Sequence, residues 1–197
     1  MRARVAAIDG YARRAGICAY VVAALSIAYA VVYLAVASRN PDDRSANALA
    51  YALIAAGALA ASVATVGMSE RAGASNARWL APFGVGYALL SAAHGVSSAI
   101  LAGSGLAAGD LSATDPRGLA TFGFAGIWML ALGLTARGAA TLPRNLGILA
   151  IVGGIDLIVL FFATVAGSTP LILVTGGAAS VVLGPAFWIW SGRLLSS

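Results

Sequence analysis

The chain has 197 residues, 60% of them hydrophobic and only 10% charged, with a net charge of +5 and a mean hydropathy of +0.91. Soluble domains carry about 25% charged residues, so this composition excludes an ordinary water-soluble globule and selects the membrane class. All twelve basic residues are arginines set singly or in pairs at the ends of apolar runs, with no basic stripe interleaved with aromatics, which argues against a nucleic-acid partner.

Residues 1–14 gather Arg2, Arg4, Arg13 and Arg14 around Asp9 and read as a short cytoplasmic lead, an amphipathic turn on the membrane surface. The first span covers residues 15–37, with Tyr20 toward one end and Tyr29 and Tyr33 toward the other, where amphipathic rings suit the two interfaces. Ala35-Val36-Ala37 has the small-x-small form of a signal-cleavage site. An apolar core of about twenty residues exceeds the usual 7–15, so a retained span is expected. After the polar connection SRNPDDRSAN, the second span covers 49–68. Its Ala52, Ala56, Ala60 and Ala64 recur every fourth residue beside Gly57 and Ala61, a pattern that lets helix backbones approach closely in lipid.

The third span, 79–102, begins at Trp79. Within it Tyr87, Ser91, His94 and Ser98 fall at steps of four, three and four and so share one polar face, with Ser91, Gly95 and Ala99 as an adjacent small-residue row. The connection GSGLAAGDLSATDPRG holds Asp110, Asp115 and Arg117 and reads as an exposed loop with one interfacial turn. The fourth span is 119–136 and the fifth 146–166; a Gly-Ser-Thr-Pro hairpin leads to the sixth, 171–190, with Pro185 as an expected kink and Phe187, Trp188 and Trp190 at its interface. A single six-helix transmembrane domain over 15–192 is therefore expected, followed by a cytoplasmic tail, 193–197. With both termini cytoplasmic, nine arginines lie inside and three outside, in keeping with the positive-inside rule and with a bacterial inner-membrane location.

His94 and Asp156 are the only ionisable groups placed well inside spans. A carboxyl at that depth costs on the order of 3 kcal/mol and should face protein or a wet cavity. At 1.5 Å per residue the two depths differ by roughly 7 Å. Two readings follow: a ligand- or ion-binding core of Asp156, His94, Tyr87, Ser91 and Ser98, or polar groups that only fix helix packing. His94 is also the sole candidate for an axial ligand to haem or a pigment, with Gly95 giving room for a macrocycle. No cofactor and no metal are expected, since Cys18 is the only thiol and there is no HExxH pair, no P-loop, no G-x-S-x-G elbow and no paired-aspartate motif. No catalytic residues are assigned, and an enzyme acting on a lipid ranks last.

Residues 137–154, RGAATLPRNLGILAIVGG, and the ending GPAFWIWSGRLL resemble the Arg, Leu-Pro-x-x-Leu-Gly turn and the closing Trp-and-Gly segment of the domain of unknown function 4386 family of small bacterial membrane proteins. That resemblance implies a six-span, all-α architecture and no residue roles. The leading functional expectation is an accessory or scaffolding subunit that packs laterally against other integral membrane proteins, lipids or a second copy. The alternative is a small transporter or ligand-binding membrane protein using the Tyr87–Ser98 face.

Overall fold

Hydrocarbon offers a backbone no hydrogen-bond partners, so each apolar run must satisfy its own amides, and each does so as a helix. In a computed structural model, residues 2–106, 111, 114–139 and 141–197 are described, without the side chains of 2–9, 74 and 139. Asp110 and the interfacial turn expected near it lie outside the described residues. Helix α1, Arg2–Val32, passes into a first π-helical turn, Tyr33–Ala37. Then come α2 (Arg44–Arg71), α3 (Ala74–Ser104), α4 (Pro116–Ala139), α5 (Arg144–Val165) and α6 (Thr169–Gly177). A second π-helical turn, Ala178–Leu183, joins α6 to α7, Gly184–Ser196. Six helical stretches are long and apolar enough to cross a membrane, the sixth being α6, the second π turn and α7 together. The chain is thus an all-helical, multi-pass membrane protein.

The helices outrun the apolar cores. α1 is continuous from Arg2, so the stretch read as a separate lead is one helix with the first span, tied to α2 where the Tyr11 hydroxyl donates to the Val63 carbonyl at 3.2 Å. α2 starts as far out as Arg44 because Asp43 caps it, accepting from the Ala46 amide at 3.0 Å. The break expected at Pro185 takes the form of the second π turn: the Gly184 amide donates to the Ala179 carbonyl, five residues back, just before a proline that cannot donate.

The spans form a closed ring. Each packs on its sequence neighbour, α1 on α2 through to α5 on α6, and α1 closes the circle against α7. Lipid supplies no hydrophobic drive between helices, so close packing carries this arrangement. A Cβ on Gly95 would meet the Ala55 nitrogen of α2 at 2.7 Å, and one on Gly154 the Leu130 nitrogen of α4 at 2.5 Å. Gly95 and Gly154 are therefore points of contact between backbones. In α2, Gly57 and Ala61 are buried, while Ala52 and Ala56 stay exposed.

Candidate functional site

The ring surrounds a partly open cavity of about 370 Å³ to which all six spans contribute lining residues. The polar face of α3 points into it: Tyr87, Ser91 and His94 line it, as the four-three-four spacing predicts. Ser98 lies one turn further, outside the lining, with its Oγ 3.3 Å from His94 Nδ1. Tyr29 and Tyr33 stack on each other with ring centroids 5.6 Å apart and line the same cavity. At the far end Trp128 stacks on Trp188 at 5.8 Å, and its Nε1–H donates to Ser69 Oγ at 3.2 Å. Trp128 is ten residues along α4 from Gly118, which touches the His94 ring, so the two ends are about 15 Å apart.

His94 is 3% exposed and does not pair with Asp156. Its partner is Asp115, whose Oδ2 lies 2.8 Å from His94 Nδ1. Asp115 is the N-cap of α4: its Oδ1 accepts from the Arg117 amide at 3.0 Å and from Arg117 Nε at 2.9 Å. Pro116 fills the first helical position, where a missing N–H costs nothing. Burial pushes the Asp115 carboxyl up, but the hydrogen bonds from Arg117 and His94 outweigh it and hold it down at about 2. At neutral pH it is a carboxylate that can only accept, so His94 Nδ1 carries the proton and donates it. In the neutral ring the lone pair then sits on Nε2. The ring is held on its other sides by an edge-to-face contact with Tyr51 at 5.6 Å and by Gly118, where a Cβ would come within 2.9 Å of Nδ1. The Tyr51 hydroxyl also accepts from the Leu111 amide at 2.7 Å, so described parts of the α3–α4 connection fold down onto the ring at residues 111 and 115.

Ser98 and Asp115 contact the same imidazole nitrogen, whereas an acyl-transfer triad places nucleophile and carboxylate on opposite nitrogens. The arrangement does not make Ser98 a nucleophile; it fixes a hydrogen-bonding imidazole at one end of a largely apolar chamber. Apart from His94 and its tyrosines, the lining carries no ionisable side chain among the described residues.

Asp156 is a separate feature. It is half-buried on α5, outside the cavity lining, and its Oδ2 is buried without a hydrogen-bond partner among the described residues. Gly153, Leu157 and Leu160 take the cavity-facing side of α5, and Gly154 and Ile158 the side against α4. At 100° per residue this leaves Asp156 to one side of both. The expected five-residue core is therefore three lining residues, one contact behind them and one group elsewhere. The room for a macrocycle expected beside Gly95 is filled by the α2 backbone at Tyr51 and Ala55. Cys18 packs against the apolar core. Among the described residues no three His, Cys, Asp or Glu side chains gather as a metal site.

Asp115 was legible only in part. Asp-Pro-Arg at the head of an apolar run is a helix-start signal, yet nothing in the spacing shows that this cap reaches a histidine 21 residues earlier. Comparison with family models, with curated proteins and with solved structures gives no match to this chain.

Proposed function

We propose that the protein binds a small amphipathic molecule within the bilayer, in the chamber enclosed by its six spans. The observation that supports this most is the joining of a ring-enclosed, mostly apolar cavity to one oriented histidine. About 370 Å³ lies at the lower end of the roughly 300–1,000 Å³ typical of small-molecule sites. Such sites combine apolar walls with a few placed polar groups, the part played here by Tyr87, Ser91 and His94. His94 has 3% of its surface exposed and its Nδ1 tied to Asp115, so its orientation is set before any ligand arrives. In this reading both termini are cytoplasmic and the membrane is a bacterial inner membrane, on the strength of the nine-to-three arginine distribution.

The alternative proposal is an accessory subunit without catalysis that packs laterally on other membrane proteins, lipids or a second copy; the exposed Ala52 and Ala56 on α2 favour it. Architecture alone comes from the resemblance to the domain of unknown function 4386 family. Purification in a gentle detergent, followed by organic extraction and mass spectrometry, separates the two. Ligand binding predicts a small amphiphile at near-stoichiometric level that is depleted when Ser91→Leu narrows the cavity. A co-purifying membrane protein with no retained small molecule would favour the accessory role.

A further inference from the structure

The cavity has one exposed rim. Of all its lining residues, four are exposed: Leu34 in the first π turn, Leu173 and Gly177 on α6, and Val181 in the second π turn. Their exposures of 53%, 68% and 48% for Leu34, Leu173 and Val181 are those of side chains facing hydrocarbon. The same seam is where the ring is least closed. α1 packs along α7 and reaches the second π turn, α6 leans on α5, and no packed α1–α6 pair occurs among the described residues. Two π turns, local widenings that recur at functional places in helices, stand on either side of it.

We infer that the seam between the first π turn and α6 is a lateral portal through which an uncharged, single-tailed amphiphile enters the cavity from the hydrocarbon of the bilayer. This rests on the reading of the cavity as a ligand site. Entry from the lipid follows from the rim, which is apolar throughout. At the histidine end the Leu111–Tyr51 and Asp115–His94 bonds hold residues 111 and 115 down onto the ring. The head is uncharged because, among the described residues, no Arg, Asp or Glu lines the cavity to pair with a phosphate, carboxylate or ammonium, while Tyr87, Ser91 and His94 offer hydrogen-bonding groups. A single tail follows from size, the volume being too small for a two-chain phospholipid. The long axis, from the His94 end to the Trp128–Trp188 pair, accepts an extended chain with its head at the imidazole.

The test uses the full chain in lipid nanodiscs mixed with donor vesicles that contain a long-chain alcohol bearing a photoactivatable diazirine. Labelled peptides are mapped by mass spectrometry against time. A Cβ at Gly177 meets nothing within 4 Å, so Gly177→Leu adds bulk at the rim from a position whose Cβ has open space around it. Saturable labelling of cavity residues is expected in the native chain, and slower labelling in Gly177→Leu. Leu173→Ala widens the same rim and should speed it. Saturable labelling at one rate in all three proteins overturns the portal and leaves the cavity reading intact. Failure of the native chain to show saturable cavity labelling overturns both. Equal labelling by the corresponding long-chain phosphate overturns the assignment of an uncharged head.

Discussion

The contact between His94 and Asp115 should be worth enough to measure as a coupling. Their 2.8 Å bond joins side chains that are 4% and 12% exposed, and one partner is a carboxylate. A hydrogen bond to a charged group contributes about 1.5–3 kcal/mol net. His94→Ala also loses the edge-to-face contact with Tyr51, about 0.5–1.5 kcal/mol, so a total near 2–4 kcal/mol is expected. Asp115 is not orphaned by that change, since Arg117 still donates to it twice. Asp115→Ala removes the same bond and the N-cap of α4, itself about 1 kcal/mol, and leaves the longer contact of His94 Nδ1 to Ser98 in place. The double variant loses the shared bond once, so it should be less destabilised than the sum of the singles by about 1.5–3 kcal/mol. Reversible unfolding in mixed detergent–SDS micelles, followed by circular dichroism, supplies the four stabilities. Additivity to within about 0.5 kcal/mol would refute the dyad as an energetic unit.

Acid should act on the same carboxylate. Asp115 titrates lower in the folded chain, at about 2, than its ordinary 3.8, so its contribution is complete above the ordinary value and drains away as pH falls through the folded one. Roughly 2 kcal/mol is at stake. Thermal unfolding midpoints should drop less between pH 5 and pH 2 in Asp115→Asn than in the native chain; an equal drop would contradict the assignment. The imidazole can be read directly, because His94 is the only histidine. Nitrogen-15 NMR of histidine-labelled protein should show Nδ1 protonated toward Asp115, with the Nε2–H form gaining in Asp115→Asn; a bare Nδ1 in the native protein would reverse the dyad's polarity. At the α4–α5 contact, Gly154→Val should cost at least about 1–3 kcal/mol, since its Cβ would strike the Leu130 backbone. Gly138→Ala, with nothing within 4 Å, should be neutral or slightly stabilising in the same unfolding assay.

Six crossings could be read from the sequence because each demands about twenty apolar residues, a signal too long to mistake. Helix ends were less visible. Caps such as Asp43 carry helices beyond the hydrophobic core, and Arg44 and Arg71 are helical although hydropathy excludes them. The polar face of α3 was legible because periodicity fixes azimuth within one helix, and it placed Tyr87, Ser91 and His94 together correctly. Relations between helices were not. Depth along a span says nothing of which way Asp156 turns, and pairing Asp115 with His94 required knowing that residues 111 and 115 reach Tyr51 and His94. An amphipathic ring suits an interface and a polar cavity equally well, so the sequence did not show that Tyr29 and Tyr33 line the cavity.

That the ring of spans encloses a ligand chamber can be tested at the chamber's aromatic end. Trp128 and Trp188 line it and are nearly inaccessible, at 0% and 6% exposed, whereas Trp79 and Trp190 are exposed at 42% and 36%. Fluorescence should therefore be followed while a brominated long-chain alcohol is titrated into nanodisc-embedded protein in which Trp79 and Trp190 are replaced by Phe. A ligand chamber predicts quenching of the buried pair that saturates at low mole fraction. Quenching that is absent, or that rises linearly with bromine in the bilayer without saturating, would contradict it.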